Sequence, residues 1–217
     1  MNLPEFINYI DLCNAETDSA SIVAALEALA EDRELLSDHL LKWIQEGPRS
    51  QSDTLYNSYA FTLYECDRFI VRLLIWLPAD SQEEADTFIY GLIHSHDFEL
   101  FVTGYGGDGY RSVMRSISGV GSSVAGIAPE FGEISSVRVS RGTSYHMRAF
   151  RDVHHQLPPD QLSASLSLIM LQPAEALSEE AWCYDENYRP QYSGIGAEER
   201  ELYDAGLSRL EQLVAPE

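Results

Sequence analysis

Lysine is almost absent from this chain: Lys42 is the single one in 217 residues, and 14 Lys and Arg face 35 Asp and Glu. The formal net charge of −21 repels phosphate backbones and anionic lipid surfaces, so neither nucleic acid nor a membrane is expected as a partner. No run of about eighteen uninterrupted apolar residues occurs, and no membrane span is expected. The opening MNLPEFINYIDL carries acids and no Lys or Arg, so it does not read as a secretory signal. Cysteine is scarce: Cys13, Cys66 and Cys183 are odd in number, far apart and outside any CxxC unit. They read as reduced thiols of a cytoplasmic protein. Also missing are a Gly-x-Ser-x-Gly elbow, a Walker loop and a Rossmann fingerprint, which disfavours the hydrolase and nucleotide-binding classes that depend on them.

What is present is a core-forming composition, 45% apolar and 11% aromatic. The charge is uneven. From Arg68 to Arg151 eight arginines face nine acids, whereas the rest of the chain holds six bases and 26 acids. A near-neutral, arginine-bearing middle suggests a region that handles a small group, and the acidic flanks serve solubility. In SIVAALEALAEDRELLSDHLLKWIQEG, residues Ile22, Leu26, Leu29, Leu36, Leu40, Trp43 and Ile44 recur at helical spacing. Asp18, Ser19 or Ser21 can cap its start, Ser37-Asp38 is a possible division, and Gly47-Pro48 stops it. From Tyr56 the pattern turns to aromatic and β-branched runs. Turns are marked by Glu65-Cys66-Asp67, by Gly106-Gly107-Asp108-Gly109 and by Leu157-Pro158-Pro159-Asp160. Many short strands without a βαβ repeat predict a sandwich or barrel. The segment EERELYDAGLSRLEQLV predicts a closing helix.

The sharpest chemical signal is IHSHDFE. Alternate residues of a strand share a face, so His94 and His96 point the same way and can bend toward one ion. His154, in RDVHHQ on a later strand, supplies a third imidazole. Three imidazoles with open positions suit Fe(II), Zn(II) or Mn(II). Strand parity sets Glu99 on the face opposite His96 and sets His155 opposite His154, leaving one ligand at most in that histidine pair. His146 is a candidate for entering the cavity. Tyr105, Tyr110 and Arg111 flank the glycine-rich turn, and Arg111 offers a bidentate fork to a carboxylate. Trp182, Tyr184 and Tyr188 are candidates to line the barrel mouth beside Cys183.

His94-Ser95-His96 followed by Phe101-Val102-Thr103-Gly104 resembles the first motif of the cupin superfamily. Arg151-Asp152-Val153-His154 resembles the second, with Arg151 where cupins usually carry glycine. Within cupins, SYAFTLYECDRFIVRLLIW, LIHSH, DVHHQ and LSASLSLIMLQP resemble the cysteine dioxygenase-like thiol dioxygenases, over roughly residues 55–190. The resemblance implies a mainly β fold: a cupin double-stranded β-helix (jelly-roll) barrel with N-terminal and C-terminal helices. Together with the helical spacing in the first fifty residues and the closing EERELYDAGLSRLEQLV, it leads to a division into a helical cover at 1–50, a barrel at 51–177 and an extension at 178–217, packed on the barrel, with a helix. It also implies a metal, Fe(II) first, on His94, His96 and His154, with O2 and a small-molecule or peptide substrate. Departures bear on the substrate. Phe61 stands where that family carries a carboxylate-binding arginine, Ile169 where it carries a tyrosine, and Ser167 where it carries a histidine. The cysteine that cross-links to that tyrosine is absent. Free cysteine is therefore not the expected substrate. The leading expectation is a mononuclear non-heme Fe(II) oxygenase. The alternatives are a redox-inert metal-dependent isomerase or lyase, and a non-catalytic binding module.

Overall fold

The computed structural model describes residues 1–46, 59–88, 90–118, 123–172 and 180–193. Eleven strands form two antiparallel sheets. The first sheet contains β1 (Ala60–Glu65), β2 (Phe69–Trp76), β9 (Ser163–Leu171), β4 (Phe98–Gly106) and β7 (Ser144–Met147), in that spatial order. The second runs β11 (Pro190–Ser193), β10 (Trp182–Tyr184), β3 (Ile93–Ser95), β8 (Asp152–Leu157), β5 (Tyr110–Ser116) and β6 (Ser135–Val139). From β2 to β9 the chain passes to the opposite sheet at every connection except the β5–β6 hairpin. That winding is a jelly roll, the mainly β barrel expected from the sequence.

Each face of the first sheet has its own residue chemistry. On β2 and β9, Phe69, Val71, Leu73, Leu166, Leu168 and Met170 face outward into one apolar cluster with the helices. The alternate positions Ile70, Trp76 and Ile169 face inward with Leu100, Val102, Tyr110 and Tyr145. The β2–β9 ladder is regular from Phe69↔Met170 to Trp76↔Ser163, so Arg72, Ser165 and Ser167 share that inward face. The interior is thus polar as well as aromatic.

The outer face is covered by α1 (Leu3–Ile10) and α2 (Ser19–Ala30), followed by α3 (Leu35–Glu46). A reciprocal capping box starts α1: the Asn2 carboxamide accepts from Glu5 N–H at 2.9 Å and Glu5 Oε2 accepts from Asn2 N–H at 3.1 Å. Phe6, Ile10, Ile22, Leu26 and Leu29 are almost fully buried against Phe101 and the outer residues of β9. Each such side chain contributes roughly 1.5–3 kcal/mol relative to exposure. The long helical run divides at Glu31–Glu34, not at Ser37-Asp38. Asp32 Oδ1 accepts from Glu34 N–H at 3.1 Å, and the break lets Arg33 donate to the Tyr105 carbonyl at 2.6 Å. The stop at Gly47-Pro48 and the closing helix near 198–214 lie outside the described residues.

The acidic insert after β2 carries a short helix, α4 (Gln82–Thr87). The aromatic segment at 182–193 forms β10 and β11, which extend the second sheet beyond β3. Gly104 allows a close approach on the other side: a Cβ there would lie 2.1 Å from the Ser140 carbonyl oxygen. Among the described residues no helix is long and apolar enough to cross a membrane.

Candidate metal centre

Strand pairing brings the three histidines together. His94 on β3 is directly opposite His154 on β8, so both project from the same face of the second sheet. His96 lies just beyond the end of β3. Its carbonyl accepts from Phe150 N–H at 2.7 Å, and Phe150 holds a left-handed backbone with φ 59° to make that contact. An ordinary side chain in that region costs of order 1 kcal/mol, which the surrounding fold offsets. Next to His94, Ser95 Oγ accepts from Trp182 N–H at 2.9 Å, fastening β10 against the histidine strand.

The imidazoles converge through one nitrogen each. His154 Nε2 is 3.2 Å from His94 Nε2 and 3.1 Å from His96 Nε2. Their exposures are 3%, 9% and 0% for His94, His96 and His154. His94 Nδ1 lies 3.0 Å from the Leu92 carbonyl, which can only accept. The His94 proton therefore sits on Nδ1, and its Nε2 lone pair faces the cluster. His154 Nδ1 is 3.3 Å from Ser112 Oγ, a hydroxyl that can pair with either tautomer of this ring. Burial, followed by the neighbouring His94, His96 and His155, holds the His154 pKa well below the usual imidazole range. That direction favours the uncharged ring, the form that ligates a metal.

A divalent cation fits this group. Ligands about 2.1 Å from one ion at right-angled to tetrahedral spacing stand roughly 3.0–3.4 Å from each other. The two separations from His154 Nε2, 3.2 and 3.1 Å, fall in that range, with all three nitrogens within 4.8 Å of one another. Three lone pairs converging in a buried site repel without a proton or an ion between them. The donor set is neutral, so an ion there would retain its full 2+ charge, and Fe(II), Zn(II) and Mn(II) are all compatible with it. Among the described residues, these three form the group of His, Cys, Asp or Glu side chains able to share an ion.

Hydroxyls and rings extend from the group into the barrel. Tyr145 lies with its ring centroid 6.5 Å from His154, and its hydroxyl is 3.1 Å from that of Tyr110. Tyr110 stacks on Trp76 at 3.9 Å, and Trp76 Nε1 donates to Ser165 Oγ at 2.8 Å. Burial pushes both phenols up, so they remain protonated donors. Gln156, two residues from His154 on the same strand face, has its amide nitrogen 3.1 Å from His154 Nε2.

Other candidates lie elsewhere. Tyr105 faces the helices, its hydroxyl donating to the Asp32 carbonyl at 3.0 Å. Arg111 is exposed on β5, opposite Arg138 and Leu157. His146 stacks on Phe101 on the outer face and donates to Glu99 Oε2 at 2.5 Å. None of these three is brought to the histidine group. Glu99 is also outside it, its second oxygen accepting from Ala149 N–H at 3.0 Å. Tyr184 binds Ser123, and Tyr188 packs its ring on Phe131. Of the positions compared with thiol dioxygenases, Ile169 and Ser167 line the interior, whereas Phe61 packs outward with the helical cluster. The arginine turned inward is Arg72. Sequence reasoning did not select Ser112, Tyr145, Phe150 or Gln156. Only Gln156 carried a signal, its even spacing from His154.

No family model matches this chain, and no curated protein matches it. Solved structures similar to it include a cupin domain from Bordetella pertussis, 13% identical, covering 52% of this chain and 92% of that one at a TM-score of 0.32. A hydroquinone 1,2-dioxygenase from Sphingomonas with 4-hydroxybenzoate bound is 11% identical, covering 54% and 67% at 0.32. A DMSP lyase from Ruegeria pomeroyi is 11% identical, covering 59% and 54% at 0.32. These overlays are partial; the chemistry below rests on this chain's own side chains.

Proposed function

We propose that this protein is a mononuclear metal-dependent enzyme, an Fe(II) oxygenase that acts on a small molecule with O2. One observation carries the reading: three buried imidazoles bring one ring nitrogen each to within 4.8 Å of the others inside a barrel. A bound Fe(II) would supply redox chemistry and Lewis acidity at that point. The chain's own part is to hold and surround it. Leu92 fixes the ring tautomer of His94 from behind, an arrangement that raises ligand basicity, and the Ser112 hydroxyl helps set the direction of the His154 ring. Phe98 stacks on the His96 ring at 4.5 Å and limits its rotation. Tyr145, Tyr110 and the half-buried Trp76 provide aromatic walls with hydroxyl donors for orienting a substrate, and the burial of the two tyrosines excludes bulk water.

The neutral donor set equally supports a second reading, a Zn(II) or Mn(II) enzyme using Lewis acidity alone. Metal analysis of anaerobically purified protein separates the two. Near-stoichiometric iron, with oxygen consumption against a panel of small thiols, amines, phenols and peptides, supports the oxygenase. A tightly held redox-inert ion with no oxygen uptake supports the second reading, and absence of any bound or bindable divalent ion removes both. Free cysteine belongs in the panel. The aliphatic Ile169, where thiol dioxygenases carry a tyrosine, argues against it, and efficient formation of the sulfinic acid would overturn that exclusion.

A further inference from the structure

His154 Nε2 has three polar neighbours, and only two of them are imidazoles. The third is the Gln156 side-chain amide, at 3.1 Å, as near as His96 Nε2 and nearer than His94 Nε2. One imidazole nitrogen offers a single lone pair or a single proton, so it cannot satisfy three partners at this range. Resting on the metal reading above, we propose that Gln156 is a fourth protein donor to the same ion, through its amide oxygen. A half-turn of the carboxamide exchanges nitrogen and oxygen without moving another atom, and the two are assigned only by the network around them. Against a cation the oxygen faces inward. The side chain reaches the group because Gln156 and His154 are two apart on β8 and share a face, with Ser112 opposite Gln156 and His94 opposite His154. The Gln156 carbonyl accepts from Gly91 N–H at 2.9 Å, which ties this part of the strand to the entry into β3.

Among the described residues no carboxylate joins the group. Glu99 accepts from His146 and from Ala149 on the far side of the wall. A set of three imidazoles and one amide is neutral, and an oxygen donor suits harder ions than nitrogen alone.

Co(II) is the probe, since its visible absorption reports the number and kind of its donors. Gln156→Leu should bind Co(II) at least tenfold more weakly than the wild type, with an altered visible spectrum. Gln156→Glu should restore an oxygen donor, add a negative charge and bind more tightly than the wild type. Wild-type affinity and spectrum in Gln156→Leu, with binding lost in His154→Ala, would overturn this inference and leave the three-histidine centre standing. Failure of the wild type to bind Co(II) would remove both. If Gln156→Leu is unfolded by circular dichroism, Gln156→Glu decides: an affinity and spectrum identical to the wild type overturn the proposal.

Discussion

Two histidine sites are built into this barrel, one inside and one outside, and they differ in what each ring faces. Outside, His146 meets the Glu99 carboxylate at 2.5 Å and lies flat on Phe101, with an interplanar angle of 1°. That pair is complete: the carboxylate has two donors and the ring has an acceptor and a stacking partner. Inside, His94, His96 and His154 face one another through one ring nitrogen each, with no carboxylate in the group. Burial alone does not distinguish a candidate metal centre; the convergence of three ring nitrogens with no carboxylate in the group does.

The sharpest way to break the comparison is to remove one inner ring. His154→Ala leaves two imidazoles, and divalent-metal affinity should fall by at least a hundredfold, read by competition with a chromophoric chelator. His94→Ala and His96→Ala should do the same. Acid should mimic them gradually. Neutral imidazole is the ligand, so protons compete with the ion and metal is released as pH falls. Because His154 is held well below the usual imidazole range, it resists protonation to lower pH than a free histidine does. Metal content measured after dialysis across a pH series checks the direction; retention that improves as pH falls would contradict it.

The outer pair should show the reverse profile. Glu99→Ala strands a buried Ala149 N–H and removes the partner of His146. It should cost about 2–3 kcal/mol of stability by chemical denaturation while metal affinity stays within twofold of the wild type. Glu99→Gln should cost less, because an amide oxygen can still accept from Ala149. A loss of metal in either variant would bring Glu99 into the inner site and erase the distinction.

How much of this was legible before the fold depends on which residues are asked about. Period-two alternation brought His94 and His96 forward as a pair. But His96 lies beyond the end of β3 and Glu99 stands on β4 in the other sheet, so the crossing between the sheets, not alternation along one strand, separates Glu99 from His96. The outward course of Phe61 was not legible. It sits on edge strand β1, whose pairing with β2 slips between Thr62 and Tyr64, and a one-residue slip exchanges the two faces. The contribution of Phe150 was hidden for a different reason. A left-handed φ on a bulky residue is imposed by the contacts around it, here with His96, and leaves no mark in composition. The strands at 182–193 were missed because short aromatic segments gain strand form only when an edge, here β3, is free to receive them.

The smallest expected effect lies one residue from the centre. His155 follows His154 and points to the opposite face of β8, beside Val113 of β5. Its Nδ1 is buried and has no hydrogen-bond partner among the described residues. Burial, with His94 nearby, lowers its pKa and keeps the ring neutral. A buried polar atom left unpaired costs about 1–3 kcal/mol, and an aliphatic side chain of similar size avoids that cost. His155→Leu should therefore fold with stability equal to the wild type or about 1 kcal/mol higher, and should bind metal with unchanged affinity. The paired measurement is a denaturation midpoint and a Co(II) titration on the same preparation. If His155→Leu loses the metal while His154→Ala keeps it, the face assignment on β8 is reversed and the inner site must be rebuilt around the other register.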